Sequence, residues 1–294
     1  MAKPIKMKQP DEITVNTSNL MLCALSWGKC PDPPVIALHG WLDNAASFIP
    51  IAQHLSGLNL VALDLPGHGK SEHRRGANAY HFIDYVTDVV QAADALGFER
   101  FGLLGHSLGA AVCAAISAAV PDRIDRLAMI EGFAPVTDHA TNTAQQLKSH
   151  VSASLPAAGA PRVYPTLDDA AKARQRAGDL SFKSAKLIAK RNLQAAGNGF
   201  IWRSDKKLTR PSPLYLTQDH VKSYMAGIRC KSLLVRTADG IIRNWESLKN
   251  REHFLDGLNI IDIEGGHHCH MDSPHSVAEC VLPFLAGNEE SVLQ

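Results

Sequence analysis

Short apolar runs alternate with amphipathic stretches along the first half of the chain. "EITVN" (12–16) and "LMLCALSWG" (20–28) read as a strand hairpin turning at Thr17–Asn19. After the connector "PDPP" (31–34), "VIALHG" (35–40) and "LNLVALDLPG" (58–67) are continuous apolar runs ended by Gly or Pro. That pattern fits strands buried on both faces. Between them Asn44 or Ser47 can cap a helix reaching Leu55. "YHFIDYVTDVVQAADAL" (80–96) sets Phe82, Val86, Val89, Val90, Ala93 and Leu96 on one helical face, and Gly97 ends it. "RFGLLGHS" (100–107) reads as strand then turn, "LGAAVCAAISAAV" (108–120) as a buried Ala-rich helix stopped by Pro121, and "RLAMIEG" (126–132) as the next strand.

The rhythm then changes. Residues 135–228 hold amphipathic helical segments such as "TLDDAAKARQRA" (166–177) and "SAKLIAKRNLQAA" (184–196), separated by Pro- and Gly-bearing loops. Strand–helix alternation resumes with "KSLLVRTA" (231–238), a helix near 244–255, "LNIIDIEG" (258–265) and a last helix near 274–286. Alternation of this kind predicts an α/β fold, a mostly parallel sheet with helices on both faces. Residues 1–134 and 229–294 form its core domain, and 135–228 a mostly helical insertion. The tail "GNEESVLQ" reads as frayed.

Bulk properties narrow the function. The chain has 294 residues, 45% of them hydrophobic, enough for one large α/β domain. Its formal net charge is +1 with no long run of one sign, so no nucleic acid or anionic membrane partner is expected. The longest apolar stretch, 110–120, is far too short to span a bilayer. "MAKPIKMKQP" is basic but lacks the apolar segment of a secretory signal. Six scattered cysteines, Cys23, Cys30, Cys113, Cys230, Cys269 and Cys280, then suggest a reduced, cytoplasmic chain. No cofactor motif is present, and nothing in the chain specifies an oligomeric state.

Candidate chemistry centres on "GHSLG" (105–109), a G-x-S-x-G between an apolar strand and a small-residue helix. A serine on so tight a turn has a strained backbone, and glycines at 105 and 109 avoid clashing Cβ atoms. Ser107 then points into the crevice at the strand's carboxyl end, where the helix N-terminus favours negative charge. "HGW" (39–41) follows an earlier strand. Its Trp41 N–H, paired with the N–H of Leu108, can form an oxyanion hole. His39 and His106 suit loop-tying hydrogen bonds rather than chemistry.

Taken in order, "HGW", "DLPGHGKS", "GHSLG" and "GGHHCHMDSP" resemble the α/β-hydrolase superfamily. The longer "HGWLDNAASF" and "DLPGHGKSEHR" resemble its serine hydrolase-like branch. The resemblance spans about residues 10–286 and is weakest in the insertion. It implies the α/β-hydrolase fold with an eight-stranded sheet, a helical cap at 135–228 and a Ser–acid–His triad. It also implies that Asp64, Gly67 and Gly69 form a structural loop. "GGHHCHMDSP" (265–274) offers three histidines as general base. In the superfamily the base directly follows the glycine, seven residues before a helix-starting proline; His267 and Pro274 fit. His268 and His270 then pack or bond loops. A His-His-Cys-His zinc site is disfavoured, because four ligands within four residues cannot easily close a tetrahedron and no second ligand group has zinc-like spacing, so no metal is expected.

The acid is ambiguous. Asp239 lies in the loop where the superfamily commonly places it. Laid without a gap over the usual L-L-x-x-G-x-x-D pattern, however, "LLVRTADG" puts Gly240 at the acid position and Asp239 one residue early. Glu131, at the end of "LAMIEG", is the alternative. It sits one strand–helix–strand step beyond Ser107, where many haloalkane dehalogenases carry their acid. Their nucleophile is Asp, so a serine here disfavours dehalogenation. A strand-end carboxylate is costly to desolvate unless paired, and a charged histidine would stabilise it. Glu131 is the preferred acid and Asp239 the alternative. The resulting reading is a serine esterase of the carboxylesterase type, acting on a small-molecule acyl substrate. Its rivals are a non-catalytic small-molecule-binding protein on the same fold, or hydrolysis of an amide, lactone or carbon–carbon bond. Phe133 and the "GFIWRSD" aromatics (199–205) are candidates for the pocket lining.

Overall fold

In the computed structural model, residues 9–29, 31–76, 79–155, 161–245 and 248–288 are described. Cys30 and the tail from Glu289 lie outside them. The strands are β1 (Asp11–Asn16), β2 (Met21–Trp27), β3 (Pro34–Leu38), β4 (Asn59–Leu63), β5 (Phe101–His106), β6 (Ile124–Ile130), β7 (Leu193–Ala196), β8 (Gly199–Trp202), β9 (Lys231–Thr237) and β10 (Leu258–Ile263). Eight of them form one sheet in the order β1-β2-β4-β3-β5-β6-β9-β10. The β1–β2 and β2–β4 pairs are antiparallel and all others parallel.

The helices are α1 (Ile49–Ala52), α2 (Phe82–Ala95), α3 (Leu108–Ala119), α4 (Thr143–Ser154), α5 (Leu167–Arg176), α6 (Phe182–Asn192), α7 (Gln218–Met225), α8 (Ile241–Asn244), α9 (Cys269–Asp272) and α10 (Pro274–Leu285). Strand side chains alternate between two cores. Ile36, Leu38, Leu103, Leu127 and Leu234 pack with α2 and α3 on one face. Val35, Ala37, Leu104, Ala128 and Val235 pack with Phe48 and α10 on the other. Continuous apolar runs in the sequence are therefore strands covered on both sides. Among the described residues no helix is long and apolar enough to cross a membrane.

The segment between β6 and β9 holds α4–α7 and, in addition, a hairpin formed by β7 and β8. Two sequence expectations need correcting. The helix expected over 184–196 ends at Asn192, where the chain turns extended to enter that hairpin and Arg203 N–H caps the Asn192 carbonyl. The helix expected near 244–255 is replaced by one α turn, Ile241–Asn244, and a short 3-10 turn, Glu252–Phe254. Asn250 takes a left-handed φ of 57° just before that turn, which breaks helical continuity. The inserted segment is tied to the sheet by Arg191 of α6. Its guanidinium pairs with buried Asp64 at 2.8 Å and with Glu12 at 2.7 Å. Asp64 also accepts the N–H groups of Ala45 and Lys70 at 2.8 Å each. A Cβ at Gly69 would lie 2.3 Å from its carboxyl carbon, so the "DLPGHG" glycine makes room for that carboxylate.

Candidate active site

Ser107 sits between β5 and α3 with φ 53° and ψ −117°, a strained combination for a residue with a side chain. The flanking glycines have separate steric reasons. A Cβ at Gly105 would come 2.4 Å from Ala110 Cα in α3, and one at Gly109 would come 2.0 Å from the Leu38 carbonyl of β3. The helix can start directly beneath the serine only because both are absent. Ser107 N–H donates to Ile130 O at 3.0 Å, which fastens the turn to the end of β6.

His267 arrives from the loop after β10. Gly265 turns that loop with a φ of 122°. The imidazole Nε2 lies 3.1 Å from Ser107 Oγ. Its Nδ1 lies 3.6 Å from Glu131 Oε2. The first distance is a hydrogen bond. The second is longer than one but within ion-pair reach of a protonated ring; such contacts in empty sites often tighten when substrate binds. Glu131 is fully buried and itself left-handed, with φ 46°. Two backbone N–H groups hold its carboxylate, Thr237 to Oε1 at 2.7 Å and Ile241 to Oε2 at 2.8 Å.

Asp239 is not brought to the histidine. Its side chain is exposed, and its N–H donates to Gly265 O at 3.2 Å. Gly240 shows why the two acid positions compete: a Cβ there would lie 1.9 Å from Glu131 Oε2. The carboxylate from β6 occupies the space that a side chain at 240 would need.

"HGW" lies against the same turn. Leu38 and Gly105 are register partners in adjacent strands, and a Cβ at Gly40 would lie 3.0 Å from His106 Nδ1, so the loop leaving β3 runs beside the turn that leaves β5. Leu108 is the first residue of α3, where N–H groups have no intrahelical acceptor. Among the described residues neither the Trp41 nor the Leu108 N–H donates to another backbone group. The Trp41 side chain is half exposed, and its indole N–H donates to Leu208 O in the inserted segment at 3.0 Å.

A model of the α/β-hydrolase fold family matches residues 33–274. The chain belongs to that family. It is 29% identical over 273 residues to a serine hydrolase-like protein of Danio rerio, covering 88% of this chain and 83% of that one. A serine hydrolase-like protein 2 of Homo sapiens is 24% identical over 285 residues, covering 90% of each. The crystal structure of a hypothetical protein from Pseudomonas aeruginosa PAO1 superposes with a TM-score of 0.87 at 39% identity, covering 94% of this chain and 98% of that one. The chain is thus an α/β hydrolase of the serine hydrolase-like branch.

The hydrolase surrounds His267 with further histidines. His106 is buried; its Nε2–H donates to the His267 carbonyl at 2.9 Å. Burial first, and His270 next, hold His106 neutral. His39 donates from Nδ1 to Gly40 O at 2.7 Å and accepts Leu65 N–H at 3.0 Å, and burial drops its pKa to about 4. The His270 ring lies tilted 4.1 Å from His106 with neither ring nitrogen bonded, and burial drops its pKa to about 3. These rings act as spacers rather than charges.

His268 is different. Its Nδ1–H donates to Asp179 O at 2.7 Å and its Nε2 meets Asp43 Oδ2 at 3.2 Å. Burial opposes its charge, but Asp43 outweighs that and raises its pKa. Asp43 shows the reciprocal balance: burial works against its ionisation, yet His268 and Arg174 hold its carboxyl well below the usual range. Asp43, His106 and His268, far apart along the chain, bring metal-type ligand atoms within 4.8 Å of one another, which no spacing in the sequence signals. The Arg174 guanidinium, 2.7 Å from Asp43 Oδ1, already balances that carboxylate, and His268 Nε2 lies 3.2 Å from its other oxygen. The group is an ion-pair clasp between the inserted segment and the core. Of the aromatic candidates, Phe133 is buried in the α2–α3 core, and Trp202 is partly buried and meets Tyr164 edge-on at 5.8 Å.

Proposed function

We propose that this hydrolase is a serine carboxylic-ester hydrolase with Ser107 as nucleophile, His267 as general base and Glu131 as the acid. The observation that carries the reading is the chain of contacts at the strained turn: Ser107 Oγ 3.1 Å from His267 Nε2, and His267 Nδ1 3.6 Å from Glu131. As Ser107 attacks an ester carbonyl, its proton passes to His267 Nε2 and the ring becomes cationic next to the buried Glu131 carboxylate. The N–H groups of Trp41 and Leu108 receive the oxyanion. His267 then protonates the leaving alkoxide. Water, deprotonated by the same ring, attacks the acyl-enzyme and releases the carboxylic acid and free serine. No cofactor enters this sequence. Residues 135–228 serve as a cap over the core formed by 1–134 and 229–294, and choose the acyl group. Free Cys23, Cys113, Cys230, Cys269 and Cys280 suit a reducing, cytoplasmic setting.

The test is p-nitrophenyl esters of graded acyl length, run beside labelling with a fluorophosphonate probe. Wild-type enzyme should turn over the panel and label at Ser107, while Ser107→Ala should do neither. A folded wild-type protein that stays unlabelled and inert would point to a binding protein instead.

A further inference from the structure

We propose that Asp179, in the turn joining α5 to α6, is a positioning residue for the general base and makes the inserted segment part of the catalytic apparatus. This rests on the reading of His267 as base.

The His267 peptide is gripped from both sides. Its carbonyl accepts the His106 Nε2–H, which belongs to the core. Its N–H donates to Asp179 Oδ2 at 2.9 Å, and Asp179 belongs to the insertion. A hydrogen bond to an ionised acceptor is about twice as strong as a neutral one. Asp179 is held in turn by its neighbours. Its own carbonyl accepts the His268 Nδ1–H, and Ser181 N–H and Oγ–H both donate to the Asp272 carboxylate at 2.9 and 2.6 Å. Arg174, at the preceding end of α5, reaches Asp43 beside the "HGW" loop. One turn of the insertion therefore touches the histidine loop and the oxyanion loop together.

Gly266 records the same contact in the sequence. Its φ is not left-handed, so the backbone alone would accept a side chain there. A Cβ would nonetheless lie 2.0 Å from Asp179 Oδ2 and would have to displace that carboxylate. The glycine pair "GG" before His267 thus has two jobs: Gly265 makes the turn, and Gly266 admits Asp179. Because Asp179 bonds the main chain and not the ring, it sets where the imidazole stands rather than its proton chemistry. The His106 bond is made within the core, so Asp179 is the member of the pair through which the position of the insertion reaches the base.

The experiment compares wild type, Asp179→Ala, Asp179→Asn, Gly266→Ala and the Asp179→Ala/Gly266→Ala double variant in ester turnover and fluorophosphonate labelling. Displacing a reacting group by a fraction of an ångström lowers rate far more than affinity, so Asp179→Ala should cut kcat about tenfold with KM within about twofold. Labelling rate should fall in parallel. Asp179→Asn keeps an acceptor oxygen and should retain most of the turnover. Gly266→Ala should reproduce the alanine loss, and the double variant should be no slower than Asp179→Ala, because both substitutions break one bond. A kcat for Asp179→Ala within about twofold of wild type overturns the proposal. So does a loss equal in the alanine and asparagine variants, a loss confined to KM, or additive losses in the double variant. A wild type that does not label removes the hydrolase reading and the proposal together; a wild type that labels no faster than Asp179→Ala removes the proposal alone.

Discussion

Replacing Glu131 with Gln keeps the side chain's shape and deletes its charge. In the reaction His267 becomes cationic 3.6 Å from that carboxylate. At an effective dielectric of about 20, unit charges at this separation attract by about 4–5 kcal/mol. Lost in full from the transition state, that is about three orders of magnitude in kcat. The His267 side chain keeps 15% of its exposure, so water screens part of the interaction. The expected loss is therefore about 10²–10³-fold. Folding pays a separate penalty, since the new amide turns an NH2 toward either Thr237 N–H or Ile241 N–H; one buried donor left without an acceptor costs about 1–3 kcal/mol. Circular-dichroism melts separate that loss from turnover of a short-chain p-nitrophenyl ester below the melting range. The steric exclusion at residue 240 adds a second arm. Glu131→Ala empties the space that a Cβ at 240 would enter, and Gly240 has φ −77°, open to any residue. Glu131→Ala/Gly240→Asp should recover part of the activity lost in Glu131→Ala, whereas Gly240→Asp alone should be destabilised and inactive. The reasoning fails if Glu131→Gln stays within about threefold of wild type while Asp239→Asn abolishes turnover.

Other consequences can be checked as directly. Ser107→Ala should leave the fold intact and remove both ester turnover and fluorophosphonate labelling; retained activity would exclude the proposed nucleophile. Arg191→Met should leave Asp64 buried without its cation and cost about 3 kcal/mol or more, roughly 5 °C in Tm, and an unchanged melt would show that the two backbone donors to Asp64 suffice. The His268–Asp43 clasp should shape the pH dependence of stability. His268 has a raised pKa in the fold, so its contribution is complete below its ordinary value of 6.5 and is lost as pH rises through the higher folded value. Asp43 is depressed, so its share is complete above its ordinary 3.8 and is lost only as pH falls through the lower folded value. Wild type should lose Tm relative to His268→Gln as pH rises above the ordinary imidazole value of 6.5. Parallel Tm curves would refute a charged His268.

Local signals carried much of this protein. Period and punctuation marked inner strands such as β3 and β4 because they are apolar runs stopped by Gly or Pro, and the sheet buries both faces of such runs. "GHSLG" announced the strained turn because only glycines at 105 and 109 let α3 start under Ser107, and that constraint is local in sequence. The histidine loop was legible for the same reason, through Gly265 and the proline that opens α10. The hairpin Leu193–Trp202 was missed because its first strand continues a helical apolar pattern, and pairing with Gly199–Trp202 outweighed that propensity. The choice between Glu131 and Asp239 could be ranked from spacing, but what separates them is not local: Thr237 and Ile241 N–H groups and a missing Cβ at Gly240 meet Glu131 across two strands that are neighbours only in the sheet. Asp43 left no trace in the sequence, and Asp179 only the second glycine before His267, whose purpose the sequence does not disclose. A carboxylate's role depends on which donors surround it, and those donors come from loops more than eighty residues away along the chain, so only tertiary structure could assign them.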